Sequence, residues 1–301
     1  MTIQLEAPAI DIRSLTKSYG TTVAVNNLSV AIPKGSIFGL LGTNGAGKTT
    51  TFKCILGLAQ PTSGQAMFGG YPLRPELFES MSYMPEQPAL YDCFTGRDHI
   101  DISRHSFAKF DTARAQSLVD LFGLDLRKKV RALSKGQKSA LALTLAFATR
   151  PEILVLDEPS SGLDPVHQRN VLDLMIDAAA GGATVLFSSH QIGQVERAAD
   201  HVAILHRGSL VLQGLVEDLK AEEKIVEATF DGDAPRFGEL DTNPNVRRVM
   251  RQGRLIRAYV TGTGDGVVAA ITAASPTSMR ILDQNLEDIF LAAVGGKQDV
   301  L

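Results

Sequence analysis

Cysteine is scarce in this sequence, with Cys54 and Cys93 the only two among 301 residues. Their spacing suits neither a disulfide framework nor a set of metal ligands, which argues against a disulfide-rich or zinc-binding domain. So few cysteines are typical of proteins in a reducing cytoplasm. Excess positive charge is also missing, because the net charge is −3. That balance argues against a general nucleic-acid binder, although a local basic face is compatible with it.

Long apolar runs are missing as well. The longest stretch without charge, Cys54 to Leu73, is interrupted by the polar residues Gln60 to Gln65, so it cannot cross a bilayer as one apolar helix. The chain also does not open with a basic and then apolar leader. We therefore expect any membrane role to depend on a partner. The 44% of hydrophobic residues still suffices for a large core, which predicts one large domain and one smaller domain.

A glycine-rich segment from Gly42 to Thr50 has the spacing of a phosphate-binding P-loop. The apolar run Ser36 to Leu41 before it predicts a buried strand, and the spacing of Thr51 to Leu56 after it predicts a helix. In such a loop the backbone amides converge on the phosphates of a nucleotide, Lys48 adds a positive charge, and Thr49 offers a hydroxyl to Mg²⁺. A simple glycine-rich turn is the alternative, and the flanking pattern argues against it.

Two acidic residues, Asp157 and Glu158, directly follow the uninterrupted apolar run Ile153 to Leu156. Such a run predicts a buried parallel strand, and open α/β sheets bind ligands at the carboxyl ends of their strands. Asp157 is suited to hold Mg²⁺, and Glu158 to polarise the water that attacks the γ-phosphate. Taken alone, two acids after a strand fit a solvated turn at least as well. Together with the P-loop they favour nucleotide hydrolysis.

The remaining pattern predicts an α/β fold with additions. Alternating residues in Ile10 to Leu15 and Leu28 to Ile32 predict an antiparallel sheet, whereas the second apolar run Val185 to Phe187, after a predicted helix, indicates a doubly wound core. The segment from Phe94 to Leu126 predicts a helical insertion. Its expected apolar anchors are Phe107, Phe110, Leu118, Leu121 and Phe122.

A charged stretch from Leu219 to Lys224 marks the predicted domain boundary. Beyond it, the pattern predicts a small α+β module with strands at residues 225–230, 246–251 and 255–260, and with helices at residues 267–274 and 286–294. The strands at 246–251 and 255–260 read as a hairpin with an arginine-rich face. We interpret that face as solvated in preference to one that binds acidic lipid or nucleic acid.

Five motifs in a fixed order resemble those of the ATP-binding cassette (ABC) ATPases, over residues from about Ile10 to Leu219. The motifs are the P-loop, Leu133 to Gln137, Asp157 with Glu158, Ser161 to Asp164, and Ser188 to His190. Ser134 of the second motif is also a candidate cap for the helix that follows.

The resemblance implies an α/β P-loop NTPase core with an antiparallel β subdomain, a helical subdomain at about residues 88–140 and a small C-terminal α+β domain. Residues 1–219 would form the nucleotide-binding domain and residues 220–301 an accessory domain. Two such subunits would enclose two ATP molecules with Mg²⁺, each site joining the P-loop of one chain to Ser134 and Gly136 of the other.

The resemblance also implies roles for single residues. Glu158, His190 and Lys48 would be catalytic, with His190 at the γ-phosphate. Asp164 would connect the two sites of the dimer. Tyr19 would stack on adenine. The implied nucleotide contacts are Tyr19, Asn44, Gly45, Ala46, Gly47, Lys48, Thr49, Thr50, Glu86, Ser134, Gly136 and Asp164, and the implied metal ligands are Thr49, Asp157 and Glu86.

The sequence departs from the family pattern at two positions. Lys135 stands where the second motif usually has a second glycine; it should leave the Gly136 amide free and add a positive charge beside the phosphate. Glu86 stands where the family has a glutamine after a proline, and Gln87 follows it. Glu86 offers an oxygen to Mg²⁺ or water but adds negative charge near Asp157, whereas Gln87 could serve only if the loop shifts.

Partner and transport direction follow from two further segments. Pro88 to Thr95 is rich in apolar and aromatic residues, which fits either local packing or the family's docking site for a short helix of a membrane subunit. The tail Asn285 to Leu291 resembles that of drug-export and sodium-export ATPase subunits. We therefore expect a cytoplasmic homodimer on the inner face of the cell membrane, bound to multi-span membrane subunits and not to nucleic acid.

Two other classes are weighed against this interpretation. A soluble cassette ATPase of translation or DNA maintenance typically has two cassettes in one chain, or a long coiled coil after the P-loop, and neither pattern occurs in this sequence. A stand-alone P-loop kinase would leave Leu133 to Gln137 and His190 unexplained. The transported substrate is expected to be chosen by the membrane partner.

Overall fold

The computed structural model describes residues 7–262 and 264–294, and the chain divides into two compact units after Leu210. This division lies inside a strand and ahead of the boundary predicted at residue 219. Each unit has its own sheet structure and its own hydrophobic core.

The first unit contains an antiparallel sheet and a mainly parallel sheet. Its strands are β1 (Ile10–Tyr19), β2 (Thr22–Ile32), β3 (Ile37–Gly42), β4 (Ser63–Phe68), β5 (Tyr71–Pro72), β6 (Met81–Met84), β7 (Ile153–Asp157), β8 (Thr184–Ser189), β9 (His201–His206) and β10 (Ser209–Leu215), which crosses the division. The antiparallel sheet has the order β2-β1-β4-β5, and the second sheet has the order β10-β9-β3-β8-β7-β6. Strands β6, β7, β8, β3 and β9 are parallel to one another.

The apolar runs Ile37 to Leu41, Ile153 to Leu156 and Val185 to Phe187 explain why β3, β7 and β8 occupy the interior of the parallel sheet. Every residue of these three strands is buried, because layers of the fold cover both faces. Strand β3, which leads into the glycine-rich loop, lies between β8 and β9. The predicted α/β P-loop fold is confirmed.

The described part of the first unit has six α-helices: α1 (Lys48–Ile55), α2 (Gly96–Ser106), α3 (Thr112–Leu121), α4 (Lys135–Ala148), α5 (Pro165–Ala180) and α6 (Ile192–Ala198). Helix α1 lies between the two sheets. Its Phe52 and Ile55 share one buried cluster with Ile10 of β1 and Val155 of β7. The start of α1, at the end of the glycine-rich loop, is thereby fixed from both sides.

The predicted helical insertion corresponds to α2 and α3. Leu118 and Phe122 are buried as predicted, but Leu121 is 42% exposed, so the prediction that it anchors the core was wrong. The buried stripe of this segment is Ala115, Leu118, Val119 and Phe122, which has helical spacing and packs toward α4. Leu121 lies off that stripe. Phe107 and Phe110 are half-buried.

The second unit is a small α+β module. Its elements are α7 (Val216–Glu222), β11 (Glu223–Thr229), α8 (Gly238–Thr242), β12 (Val246–Gln252), β13 (Leu255–Thr261), α9 (Asp265–Ala273), β14 (Ser278–Asp283) and α10 (Leu286–Val294). The strands form one antiparallel sheet in the order β12-β13-β11-β14. The predicted hairpin of β12 and β13 is present.

Part of the arginine-rich face of this hairpin is used within the unit. The buried carboxylate of Glu227 accepts hydrogen bonds from Arg257 and from Arg280, at 2.6 and 2.7 Å. These bonds, and mainly the one from Arg257, hold the pKa of Glu227 below its usual value.

Among the helices of both units, within the described ranges, none is long and apolar enough to span a bilayer.

Candidate functional site

A cavity of about 660 Å³ opens at the carboxyl ends of the parallel strands, around the glycine-rich loop. Eleven of the predicted site residues line it: Tyr19, Asn44, Gly45, Ala46, Gly47, Lys48, Thr49, Thr50, Glu86, Glu158 and His190. They come from segments far apart in the sequence. Ala24 and Ser161, which were not predicted as site residues, complete the lining.

The backbone around Gly47 explains why this loop is built from glycine. Gly47 has a φ of 105°, and a Cβ atom there would lie 2.5 Å from the carbonyl oxygen of Ala24. Helix α1 begins at the next residue, so its positive end faces the cavity. The Lys48 ammonium is buried and donates a hydrogen bond to the Gly42 carbonyl, at 2.7 Å. The loop is thus suited to hold an anion against a fixed cation.

Glu158 lies between two basic side chains. Its Oε1 is 3.2 Å from the Nζ of Lys48, an ion pair that is not aligned as a hydrogen bond, and its Oε2 is 2.8 Å from the Nδ1 of His190. A carboxylate only accepts, so Nδ1 carries the proton in this contact and Nε2 is left for other partners. The Glu158 backbone has a φ of 50°, a region that non-glycine residues rarely adopt and that is frequent at functional sites.

Asp157 lies fully buried beside this pair. Its Oδ1 accepts a hydrogen bond of 2.5 Å from the Ser188 hydroxyl, which itself accepts the Glu158 amide at 2.9 Å. Oδ2 has no hydrogen-bond partner among the described residues. A buried carboxylate oxygen without a partner fits a divalent cation or one of its water ligands.

The fit to Mg²⁺ also depends on how few protein ligands this ion needs. No group of three or more His, Cys, Asp or Glu side chains that could hold a metal occurs in the described part of the chain. Mg²⁺ usually keeps several waters and takes only one or two protein oxygens, with substrate phosphates completing its shell. The Thr49 hydroxyl at the cavity and the unpaired Asp157 oxygen therefore suit Mg²⁺ bound together with a nucleotide.

Tyr19 and Glu86 are far apart in the sequence, but both line this cavity. The Tyr19 ring is 51% exposed, and the Lys17 ammonium lies 4.7 Å from its centroid. An exposed ring at a phosphate site offers a stacking surface to a base. Glu86 lines the cavity, whereas Gln87 lines only a neighbouring one. Glu86 is therefore the better placed of the two for contact with the nucleotide.

Four predicted residues do not line the cavity of their own chain: Asp157, which is buried, and Ser134, Gly136 and Asp164. Ser134 caps α4: its Oγ accepts the Gln137 amide at 3.2 Å, and its own O–H proton is left for another acceptor. Gly136 packs closely, because a Cβ atom there would lie 2.5 Å from the Gly162 carbonyl oxygen.

Lys135 and Asp164 lie at the starts of two helices, α4 and α5. The ammonium of Lys135 donates to the Ser161 hydroxyl at 3.0 Å, so the start of α4 is connected to a residue of the cavity. Asp164 caps α5 by accepting the amides of Val166 and His167. The bond from the His167 amide is the main reason that the pKa of Asp164 lies below its usual value.

Three residues of the site were not predicted from the sequence, and only two of them, Ser161 and Ser188, lie in a segment that the sequence marked as functional. Ser161 and Ser188 stand inside predicted motifs, but their own contacts could not be assigned from spacing. Ala24 contributes a backbone position on β2, and nothing in its residue type indicates a site.

Comparison with protein families gives two matches. The family model described as ABC transporter matches residues 25–161, from β2 to the loop after Glu158. A second model, described as an AAA domain and putative AbiEii toxin of a type IV TA system, matches residues 129–195. The two ranges together include the glycine-rich loop and the segments of Ser134, Glu158 and His190.

Individual relatives match over nearly the full chain. The ABC transporter ATP-binding protein YtrB of Bacillus subtilis is 32% identical, over 96% of this chain and 99% of that protein. The Nod factor export ATP-binding protein I of Cupriavidus pinatubonensis is 30% identical, over 97% of this chain and 94% of that protein. A solved structure of the ATP-binding subunit of an ABC transporter has a TM-score of 0.65 and 29% identity, and covers 71% of this chain and 92% of its own.

Proposed function

This chain belongs to the family of ABC transporter ATP-binding proteins, and on that premise we propose that it hydrolyses ATP to drive export through separate membrane subunits. The observation that carries the chemistry is the contact of Lys48 and His190 with the two oxygens of Glu158. Export is supported by similarity to the Nod factor export protein, together with the tail at Asn285 to Leu291.

ATP binding would rearrange the contacts of Glu158. The phosphates carry more negative charge than one carboxylate, so the Lys48 ammonium would turn toward them and release Oε1 of Glu158. Oε1 would then accept a proton from a water placed in line with the γ-phosphate. The His190 imidazole, held at Nδ1 by Oε2, would present Nε2 to the γ-phosphate and donate to it when protonated.

Thr49, Asp157 and Glu86 are the residues that would hold Mg²⁺. When bound, the ion supplies positive charge to the β- and γ-phosphates. Ser188 keeps the Asp157 carboxylate in place through Oδ1, so that Oδ2 alone is directed to the metal or its waters. Glu86 brings a second carboxylate to the cavity, and it can approach ATP only with a cation between them.

The site is proposed to be completed by a second copy of the chain. In the part of one chain that the structure describes, Ser134 and Gly136 lie outside the cavity formed by their own glycine-rich loop. The free O–H of Ser134 and the start of α4 would meet the γ-phosphate held by the other subunit. The Lys135 contact with Ser161 would then connect one ATP site to the other.

We expect Tyr19→Ala to weaken ATP binding by about tenfold, because a base loses its stacking surface, and Tyr19→Phe to retain the affinity. Tyr71→Ala is the matched control, since that ring is 61% exposed and also covered by a cation, Arg74 at 4.9 Å, but lies outside the cavity. Calorimetric titration with ATP in EDTA measures the effect. Equal affinities of Tyr19→Ala and Tyr71→Ala would show that Tyr19 does not contact the base.

The proposed membrane partner would dock in an apolar groove of about 410 Å³. Pro88 to Leu90 of the predicted docking segment line this groove, together with Phe78 from the short 3₁₀ helix before β6 and Leu145 of α4. An amphipathic helix of a membrane subunit could bury its apolar side there. The chain would then be held at the inner face of the cell membrane.

Co-purification tests this function directly. From a gentle detergent extract the wild-type chain should bring down a multi-span membrane protein, and Phe78→Asp should lose it, because a buried charge opposes apolar docking. Ile176→Asp is the control, since Ile176 is 43% exposed on α5, similar to Phe78 at 47%, but lies outside the groove. Recovery of ribosomes or DNA in place of a membrane protein would contradict the transporter assignment.

The rival assignments are not favoured. The full-length matches to transporter ATP-binding proteins give no support to a soluble cassette ATPase of translation or DNA maintenance. A P-loop kinase does not account for the family match or for the position of His190 beside Glu158.

A further inference from the structure

Tyr83 carries a buried hydroxyl that has no part in the proposed hydrolysis of ATP. The residue lies on β6, and its Oη is shielded from solvent and has no hydrogen-bond partner among the described residues. Burial, and then the charge of Asp157, raise the pKa of Tyr83 above its usual value, so the group is a neutral phenol. A phenylalanine could fill the same space without leaving a polar atom unpaired.

The register of the sheet places this hydroxyl on the side of the metal-binding carboxylate. Tyr83 is paired with Val155 of β7, and side chains alternate along a strand, so Tyr83, Val155 and Asp157 share one face of the sheet. That face packs against α1, the helix that follows the glycine-rich loop. Asp157 Oδ2, another buried oxygen without a hydrogen-bond partner among the described residues, belongs to the same face.

Asp157 Oδ2 and the Tyr83 hydroxyl, both unpaired on this face, have complementary hydrogen-bonding capacities. Asp157 Oδ2 is an acceptor only, whereas the Tyr83 hydroxyl can donate one hydrogen bond and accept others. A water coordinated to a cation keeps two O–H donors, and it could give one to each of these oxygens. Tyr83 is also one of the residues that line the apolar groove, together with Met81 and Pro85.

We propose that Tyr83 is a positioning residue of the Mg²⁺ site, whose hydroxyl, together with Asp157 Oδ2, holds a water ligand of the ion. The inference rests on the proposed function, since it assigns a residue to the metal that accompanies ATP. It also places the same side chain in contact with the surface at which the membrane partner would dock.

Metal affinity of the Tyr83→Phe variant tests this inference. Mn²⁺, which reports its own binding by electron paramagnetic resonance, is titrated into the full-length protein with the non-hydrolysable analogue AMP-PNP. Tyr83→Phe should bind Mn²⁺ about tenfold more weakly than the wild type. Tyr259→Phe, which removes a buried hydroxyl from the second unit, is the matched control and should bind Mn²⁺ like the wild type.

Thermal unfolding without ligands separates positioning from a structural role. Because the Tyr83 hydroxyl is unpaired, Tyr83→Phe should melt at the same temperature as the wild type or above it, and AMP-PNP in EDTA should bind equally to both. A lower melting temperature without ligands, or unchanged Mn²⁺ affinity, would overturn the role of Tyr83. Wild-type protein that binds neither AMP-PNP nor Mn²⁺ would instead refute the proposed function itself.

Discussion

Replacing Glu158 with glutamine is expected to lower the kcat of ATP hydrolysis by about 10²- to 10⁴-fold while ATP remains bound. The amide cannot take the proton of the attacking water, but it has the size and shape of the carboxylate. Its loss of charge also removes the competitor for the Lys48 ammonium, which in the structure lies 3.2 Å from Glu158. Lys48 is then free for the phosphates, so affinity for ATP should be equal to that of the wild type or higher.

Single-turnover hydrolysis and gel filtration with Mg²⁺ and ATP measure the two sides of this expectation. The variant should elute as a dimer that persists, because closed subunits cannot separate without hydrolysis. Glu152→Gln is the control: Glu152 is exposed and pairs with Lys109 at the surface, so loss of its charge should leave the rate unchanged. A Glu158→Gln protein that hydrolyses ATP at the wild-type rate would exclude Glu158 as the base.

The parts of the fold that could be predicted are those in which sequence and burial follow the same simple rule. Strand β3 and residues Ile153 to Leu156 of β7 are apolar throughout because both faces of the sheet are covered. The buried residues of the helical insertion were harder to predict. A stripe of apolar residues predicts a helix, but the neighbouring Leu121 has the same chemistry and is largely exposed. Only the packed structure distinguishes them.

The candidate site divides in a similar way. Motif spacing and residue chemistry indicated Lys48 and Glu158, and the resemblance to the ABC ATPases indicated His190; the structure brings all three to one cavity. Spacing could not indicate the Ser188 hydroxyl that fixes Asp157, since this contact joins two strands that are far apart in sequence. It could not choose between Glu86 and Gln87 either, because the loop conformation decides which side chain borders the cavity.

Mixed dimers should distinguish a shared ATP site from a site built by one chain. Lys48→Ala removes the buried cation of the glycine-rich loop, and Ser134→Glu places a carboxylate at the exposed start of α4, where it would repel a phosphate. Each homodimer should lose nearly all ATPase activity. If the sites are shared, a dimer with one subunit of each kind contains one site with both defects and one intact site, so about half of the wild-type activity should return.

The reciprocal combination tests the shared ATP site without relying on the exact rate of any one dimer. A chain that carries both Lys48→Ala and Ser134→Glu, paired with a wild-type chain, has one defect in each shared site and should be nearly inactive. If each chain instead used its own Ser134, that dimer would keep the activity of its wild-type subunit, and the first mixture would recover none. Differently tagged subunits, purified over both tags and assayed for phosphate release, give the four values. Because Ser134 lies outside the cavity of its own chain, we expect recovery only in the first mixture.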